Sequence, residues 1–284
     1  MTLHHPTTPR LQDIIDFAAK KIGMPPSSLP DGGIIIGSPE TVISGLLVTW
    51  MATPRALQAA ADNGLNTVLC HETFLFDEMP QPHIYRWSSP PGEKPYELPD
   101  HPNQVRRQLA KKHRLAVVQI HYGLDRLCIG DDFMKHLGIT SVIAGDAYEK
   151  VYALPAPIPA YQLAETVASR LGLKAIRIAG RKDKIISKVG NLWGGVALSS
   201  NRYWMRKQIE LGAEALICGE ADEYAELFAR EFRDTVLIET SHAESENIGL
   251  HHVTSMLKEA FPKLPVEFFE VPCPNNLLLM KGTI

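Results

Sequence analysis

Two stretches of this chain align with each other without a gap, and no other feature of the sequence limits the possible folds as strongly. Thr53 to Glu72 runs in parallel with Asn201 to Glu220. Each stretch opens on a helix-capping residue, Thr53 or Asn201, eleven positions before a glycine, Gly64 or Gly212. Six residues after the glycine a cysteine closes an apolar, β-prone run, and two residues later comes a glutamate: Cys70-His71-Glu72 and Cys218-Gly219-Glu220. An element repeated at this level of detail is sought before any motif, because it sets the architecture.

The repeat belongs to a longer alternation. Apolar residues at helical spacing from Leu11 to Ile22 predict an amphipathic helix stopped at Gly23. Strands are expected over Ile34 to Ile36, Val42 to Thr49, Thr67 to Cys70, Ala116 to Ile120 and Val142 to Ala144, and a helix over Asn103 to His113. Seven prolines between Pro80 and Pro102 predict a loop over 79–102, and Leu154 to Pro159 reads as a proline-rich linker. The second half gives helices over Tyr161 to Leu171, Asn201 to Leu211, Ala221 to Arg230 and Ser245 to Ala260. Its strands are Ala175 to Ala179, Lys188 to Trp193, Ala215 to Cys218, Val236 to Thr240 and Val266 to Val271.

Strands alternating with helices predict a layered α/β fold of two similar lobes: residues 1–130 with 240–284 as the first, and 131–239 as the second. At 284 residues the chain is long enough for both cores. A net charge of -3 provides no basic footprint for nucleic acid, and no apolar run reaches the ~18 residues of a membrane span. With no signal-like start and four scattered cysteines (Cys70, Cys128, Cys218, Cys273), the expectation is a cytoplasmic protein with reduced thiols.

Chemistry concentrates just past strand ends, where open α/β sheets bind ligands. The strand ending at Ile120 runs into His121-Tyr-Gly-Leu-Asp125, and the one ending at Thr240 into Ser241 and His242-Ala-Glu-Ser-Glu246. Both read histidine, three residues, carboxylate. His71, Asp125, His242 and Glu246 make a mixed imidazole and carboxylate set suited to Zn²⁺, Mn²⁺ or Fe²⁺, and pseudo-twofold packing would bring them to one site between the lobes. Such a site can lower the pKa of a bound water to about 7, which points to hydrolysis. Histidines and acids at strand ends also serve as caps, turn formers and ion-pair partners.

Further residues carry two readings each. His121 ligates, or hydrogen-bonds to backbone, or orients a neighbouring ligand. Cys70 is a soft ligand beside His71, or a buried strand residue. Glu220, Asp222 and Glu223 supply a general base, Glu220 foremost, or favour a helix N-terminus. Gly194-Gly195 approaches an anion, or turns the chain after a strand. His4, His5, His251 and His252 are assigned no chemistry.

At these residues the sequence resembles the Nif-three-like family of dinuclear metal-binding proteins (Ngg-one-interacting factor three), often labelled GTP cyclohydrolase type-two-like. Gly33-Ile-Ile-Ile-Gly-Ser-Pro looks like its early strand and turn, and Ala60 to His71 like the helix and strand leading to a His-His-Pro turn. His121 to Asp125 resembles its His-Thr-Asn-Leu-Asp segment, Gly212 to Tyr224 its Gly-Asp stretch, and Ser241 to Glu246 its Gly-His-x-x-Ser-Glu signature. The resemblance implies one or two divalent ions per subunit on His71, Asp125, His242 and Glu246, and a homo-oligomer, a hexameric toroid. This chain departs from the pattern where it has Cys70-His71-Glu72 for His-His-Pro and Glu220-Ala-Asp-Glu-Tyr224 for the histidines after Gly-Asp. Nothing reads as guanine or triphosphate recognition. The expectation is a metal-dependent hydrolase of an unidentified small molecule, with a non-catalytic metal-binding scaffold as the alternative.

Overall fold

A computed structural model describes residues 8–28, 32–72 and 101–271 of the chain, so the predicted loop over 79–102 lies outside the described residues except at its last two positions. In chain order the described elements begin with α1 (Leu11–Ile22), β1 (Gly32–Ile36), β2 (Leu46–Thr49), α2 (Pro54–Asp62), β3 (Thr67–Cys70), α3 (Pro102–His113) and β4 (Ala116–Ile120). Short helices α4 (Tyr122–Leu124) and α5 (Gly130–His136) follow, then β5 (Ser141–Ala144), β6 (Val151–Pro159), α6 (Ala160–Leu171), β7 (Arg177–Ala179) and β8 (Ile185–Leu192). The chain continues through α7 (Arg202–Glu210), β9 (Ala215–Cys218), α8 (Glu223–Leu227), β10 (Val236–Glu239), α9 (His242–Ala260) and β11 (Val266–Phe269). Among the described residues no helix is long and apolar enough to cross a membrane.

These elements form two compact units, each a mixed α/β structure with one sheet: residues up to Leu127 with Leu250–Val271, and Cys128–Gly249. The second junction falls inside α9, so residues 240–249 go with the second unit and not, as the sequence suggested, with the first.

In the first unit the strand order is β1-β4-β3-β2-β11; β4, β3, β2 and β11 run parallel, and β1 is antiparallel to β4. Every residue of β2, β3 and β4 is buried, as expected of parallel strands that need cover on both faces. Helix α1 forms because Leu11, Ile14, Ile15, Ala18 and Ala19 share one buried stripe, and it stops at Gly23, whose left-handed φ of 75° lets its N–H return to Ala19 and Lys20.

In the second unit the order is β5-β6-β8-β9-β10-β7, with β8, β9 and β10 parallel. The expected linker over Leu154 to Pro159 is in fact the second half of β6. Pro155 and Pro157 are tolerated there because they sit inside a register shift against β8, between Ala153 and Ile158, where the ladder asks no N–H of them. The helix expected over Ala221 to Arg230 is shorter: α8 gives way at Phe228 to a wider π turn through Phe232.

The aligned stretches build the same local unit. Helices α2 and α7 are nine residues long, strands β3 and β9 four, and every boundary corresponds. Gly64 and Gly212 each take positive φ, 68° and 97°, to turn from helix to strand.

Candidate metal centre

In the first unit β3 and β4 lie parallel and in register, so the residues following Cys70 and Ile120 emerge at the same sheet end. Both are histidines. The His71 N–H still bonds to the β2 end, at 3.2 Å to the Thr49 carbonyl and 3.1 Å to that of Trp50, and the Glu72 N–H donates to Trp50 at 2.7 Å. His71 is fully buried, with Nδ1 3.3 Å from the Ile120 carbonyl. A carbonyl only accepts, so Nδ1 donates this hydrogen bond and Nε2 is the nitrogen turned away from it. It faces Asp125 Oδ1 at 3.6 Å. His121 Nε2 stands 3.6 Å from Glu72 Oε1 and 4.0 Å from Asp125 Oδ2, and the two imidazole centroids are 4.6 Å apart. One helical turn sets the last pair: the Leu124 and Asp125 N–H groups both return to the His121 carbonyl, and a π turn opens at Asp125.

Separations near 3.6 Å are long for hydrogen bonds but suit donors around one ion, since two atoms each ~2.1 Å from a metal stand roughly 3–3.5 Å apart. His71, Glu72 and His121 each offer an atom within 4.8 Å of the others, a group that could hold a metal ion. Cys70 is not part of it. Strand alternation turns its side chain into the apolar cluster of Leu47, Leu57, Val68 and Val117, where Sγ meets the Val118 carbonyl at 3.6 Å and burial pushes the thiol up to about 12.

In the second unit the donors come from a helix. The sequence placed the start of α9 near Ser245, but it begins at His242, so His242 and Glu246 share one face, Nε2 to Oε1 3.3 Å. His242 Nδ1 pairs with Glu220 Oε1 at 3.1 Å. Glu220, expected as a general base, therefore lies against the side of this ring away from Glu246. Glu246 is buried at 2% exposure. Gly194 and Gly195 resolve as a turn packed on these donors: a β-carbon at Gly194 would overlap Glu246 Oε1 and lie 3.0 Å from His242 Nε2. Ser245 ties the parts together, accepting from the Gly194 N–H at 2.8 Å and donating to the His242 carbonyl at 2.7 Å. Asp222 caps α8: burial opposes its charge, but hydrogen bonds from Ser199 and from the Ala225 N–H outweigh that and hold its carboxyl below the usual range.

The sequence named His71, Asp125, His242 and Glu246, and the structure places His71 beside Asp125 and His242 beside Glu246. Sequence reasoning kept His121 at one remove, where the structure puts that ring among the donors, and it missed Glu72. The repeat carried the signal for Glu72, which occupies the position of Glu220.

The sequence matches the family model described as Duf34/NIF3 (NGG1p interacting factor 3) over residues 91–276. No curated protein matches it. Among solved structures the fold is similar to protein SA1388 of Staphylococcus aureus, at 16% identity over 95% of this chain and 99% of that one, with a TM-score of 0.74. A Bacillus cereus protein related to NIF3 is similar at 13% identity over 96% and 99%, TM-score 0.72. Reduced HcgD from Methanocaldococcus jannaschii is similar at 13% identity over 93% and 99%, TM-score 0.68.

Proposed function

The chain belongs to the Duf34/NIF3 family, and from that premise we propose that it binds one or two divalent ions (Zn, Fe or Mn) and acts as a metal-dependent hydrolase on a small molecule. The observation that carries the reading is the way each unit fixes a histidine. His71 and His242 are both held through Nδ1, by the Ile120 carbonyl and the Glu220 carboxylate, with Nε2 turned to a carboxylate oxygen of Asp125 or Glu246. Anchoring the far nitrogen selects the tautomer and ring orientation that ligation requires.

His71 and Asp125 would hold the ion in the first unit, and His242 and Glu246 would supply the donors of the second. A divalent ion bound there would polarise a substrate carbonyl or phosphoryl oxygen and generate a nucleophile at neutral pH. The protein's own work is to hold the His71 ring on the Ile120 carbonyl and the His242 ring on Glu220, with each Nε2 turned to a carboxylate. Assembly as a homo-hexamer belongs to the same proposal and is read by light scattering.

The test is metal content per chain by elemental analysis of protein purified without affinity tag or chelator, beside His242→Ala and Glu246→Ala. About one or two ions in the parent, lost in both variants, supports the reading and justifies screening phosphoesters and cyclic amides. Metal without turnover leaves a non-catalytic metal-binding protein. A parent that cannot be loaded sinks the proposal.

A further inference from the structure

We propose that Glu72, and not Cys70, completes the first unit's metal site, giving a donor set of nitrogen and oxygen only. The inference rests on the metal-binding reading above and goes beyond it in naming the ligand and the class of ion.

Cys70, His71 and Glu72 are consecutive, and the fold sorts them. Cys70 is still in the β3 ladder, fully buried, with its sulfur in the apolar cluster and against the Val118 carbonyl. His71 and Glu72 have left the strand, yet their N–H groups remain tied to the end of β2, which fixes the backbone from which both side chains project. Glu72 is 8% exposed, and its Oε1 stands 3.6 Å from His121 Nε2 at the separation expected of two ligands on one ion. Asp125 Oδ2 stands 4.0 Å from the same imidazole nitrogen, and His71, Glu72 and His121 each offer an atom within 4.8 Å of the others, a group that could hold a divalent cation. Two imidazoles with two carboxylates favour borderline and hard ions such as Fe²⁺ and Mn²⁺, and give a soft ion no thiolate.

The experiment loads the full chain with Mn²⁺ and, separately, with Co²⁺. It compares the parent with Glu72→Ala, Glu72→Gln and Cys70→Ala by Mn²⁺ titration and by the near-ultraviolet absorption that a thiolate–Co²⁺ bond produces, and thermal melts report folding. Expected are Mn²⁺ binding weakened about 100-fold in both Glu72 variants, binding within about twofold of the parent in Cys70→Ala, and no thiolate band. Glu72→Gln keeps the side chain's size, so it decides the matter if Glu72→Ala melts early. Loss of metal in Cys70→Ala together with a thiolate band in the parent overturns the inference while leaving the metal-binding reading intact. A parent that binds neither ion overturns both.

Discussion

The two aligned stretches begin as the same structure and end as different chemistry. Up to Cys70 and Cys218 each is a capped helix, a glycine turn and a buried four-residue strand. One residue later they part. After Cys70 comes His71, a donor; after Cys218 comes Gly219, where a β-carbon would overlap the Gly194 backbone and lie 2.7 Å from Ser245 Oγ. The second unit has filled the space past its strand with the Gly194 turn, so its imidazole must come from elsewhere, and the first turn of α9 supplies it. A repeated scaffold therefore fixes where donors can stand, and local packing decides which residue stands there.

The sharpest way to break that comparison is to put a methyl group into the second unit's turn. Gly194→Ala meets two penalties: φ of 54°, costing about 1–2 kcal/mol for a residue with a β-carbon, and a collision with Glu246 Oε1, adding about 1–3 kcal/mol. A loss of about 2–5 kcal/mol by denaturant unfolding is expected, with reduced metal content. Gly64→Ala in the first unit is the control. It has the same sign of φ, 68°, but nothing within 4 Å of the added carbon, so only the conformational cost of about 1–2 kcal/mol should appear. Equal losses at the two sites would mean that the turn does not press on the donors.

Much of this was legible in the sequence because it depends on periodicity and spacing. The limits of α1, β3, β4 and β9 were read from apolar runs, and His242 with Glu246 from their spacing and their repeat partner. What escaped depends on contacts between distant parts of the chain. Pro155 and Pro157 read as a linker because nothing local reveals a register shift against β8. The helical run from Tyr122 to His136 was hidden by Gly123, Gly130 and a π turn. Glu72 went unassigned although the repeat aligns it with Glu220, because its approach to His121 depends on the tie of its backbone to Trp50.

Glu220→Gln sharpens the contrast in how the histidines are held. In the first unit the acceptor for Nδ1 is a backbone carbonyl that no substitution removes; in the second it is the Glu220 side chain, 43% exposed. Weakening that pairing should lower metal affinity at the second unit's donors about 10-fold to 100-fold, with stability changed by less than about 0.5 kcal/mol. Unchanged affinity would mean that His242 does not need Glu220 to hold its ring.

A smaller effect separates the two units by pH. Asn66 and Glu214 occupy the same position in the repeat and do the same job by different means. Asn66 Oδ1 accepts from the Ser44 N–H at 2.9 Å, whereas Glu214 Oε2 accepts from the Ser187 N–H at 2.6 Å, the Ser187 hydroxyl at 2.8 Å and the Lys188 N–H at 3.1 Å. Burial opposes the charge on Glu214, but these hydrogen bonds prevail and hold its carboxyl below the ordinary 4.5. A depressed folded-state pKa contributes stability above the unfolded value and loses it as pH falls through the folded one. Glu214→Gln should therefore cost about 1 kcal/mol at neutral pH and nothing well below the usual carboxylate range, read from denaturant midpoints at the two pH values. Asn66→Asp should introduce the same dependence into the first unit.

The helix caps give the smallest effect and separate the units most finely. Thr53 Oγ1 accepts from the Ala56 N–H at 3.1 Å, so Thr53→Ala should cost about 1 kcal/mol in thermal or denaturant unfolding and leave metal affinity unchanged. Asn201 holds the same place in the repeat but does not cap: its side-chain amide donates instead to the Gly195 carbonyl at 2.9 Å, an oxygen that also accepts from the Leu198 N–H at 3.1 Å. Asn201→Ala should therefore destabilise by only about 0.5 kcal/mol, because the carbonyl keeps one donor, yet loosen the Gly194–Gly195 turn that packs on His242 and Glu246. The pair of variants should show opposite rankings, with Thr53→Ala the larger in stability and Asn201→Ala the larger in metal affinity. The same ranking in both measurements would mean that this position is only a helix cap in either unit, and that the second unit's glycine turn needs no support from it.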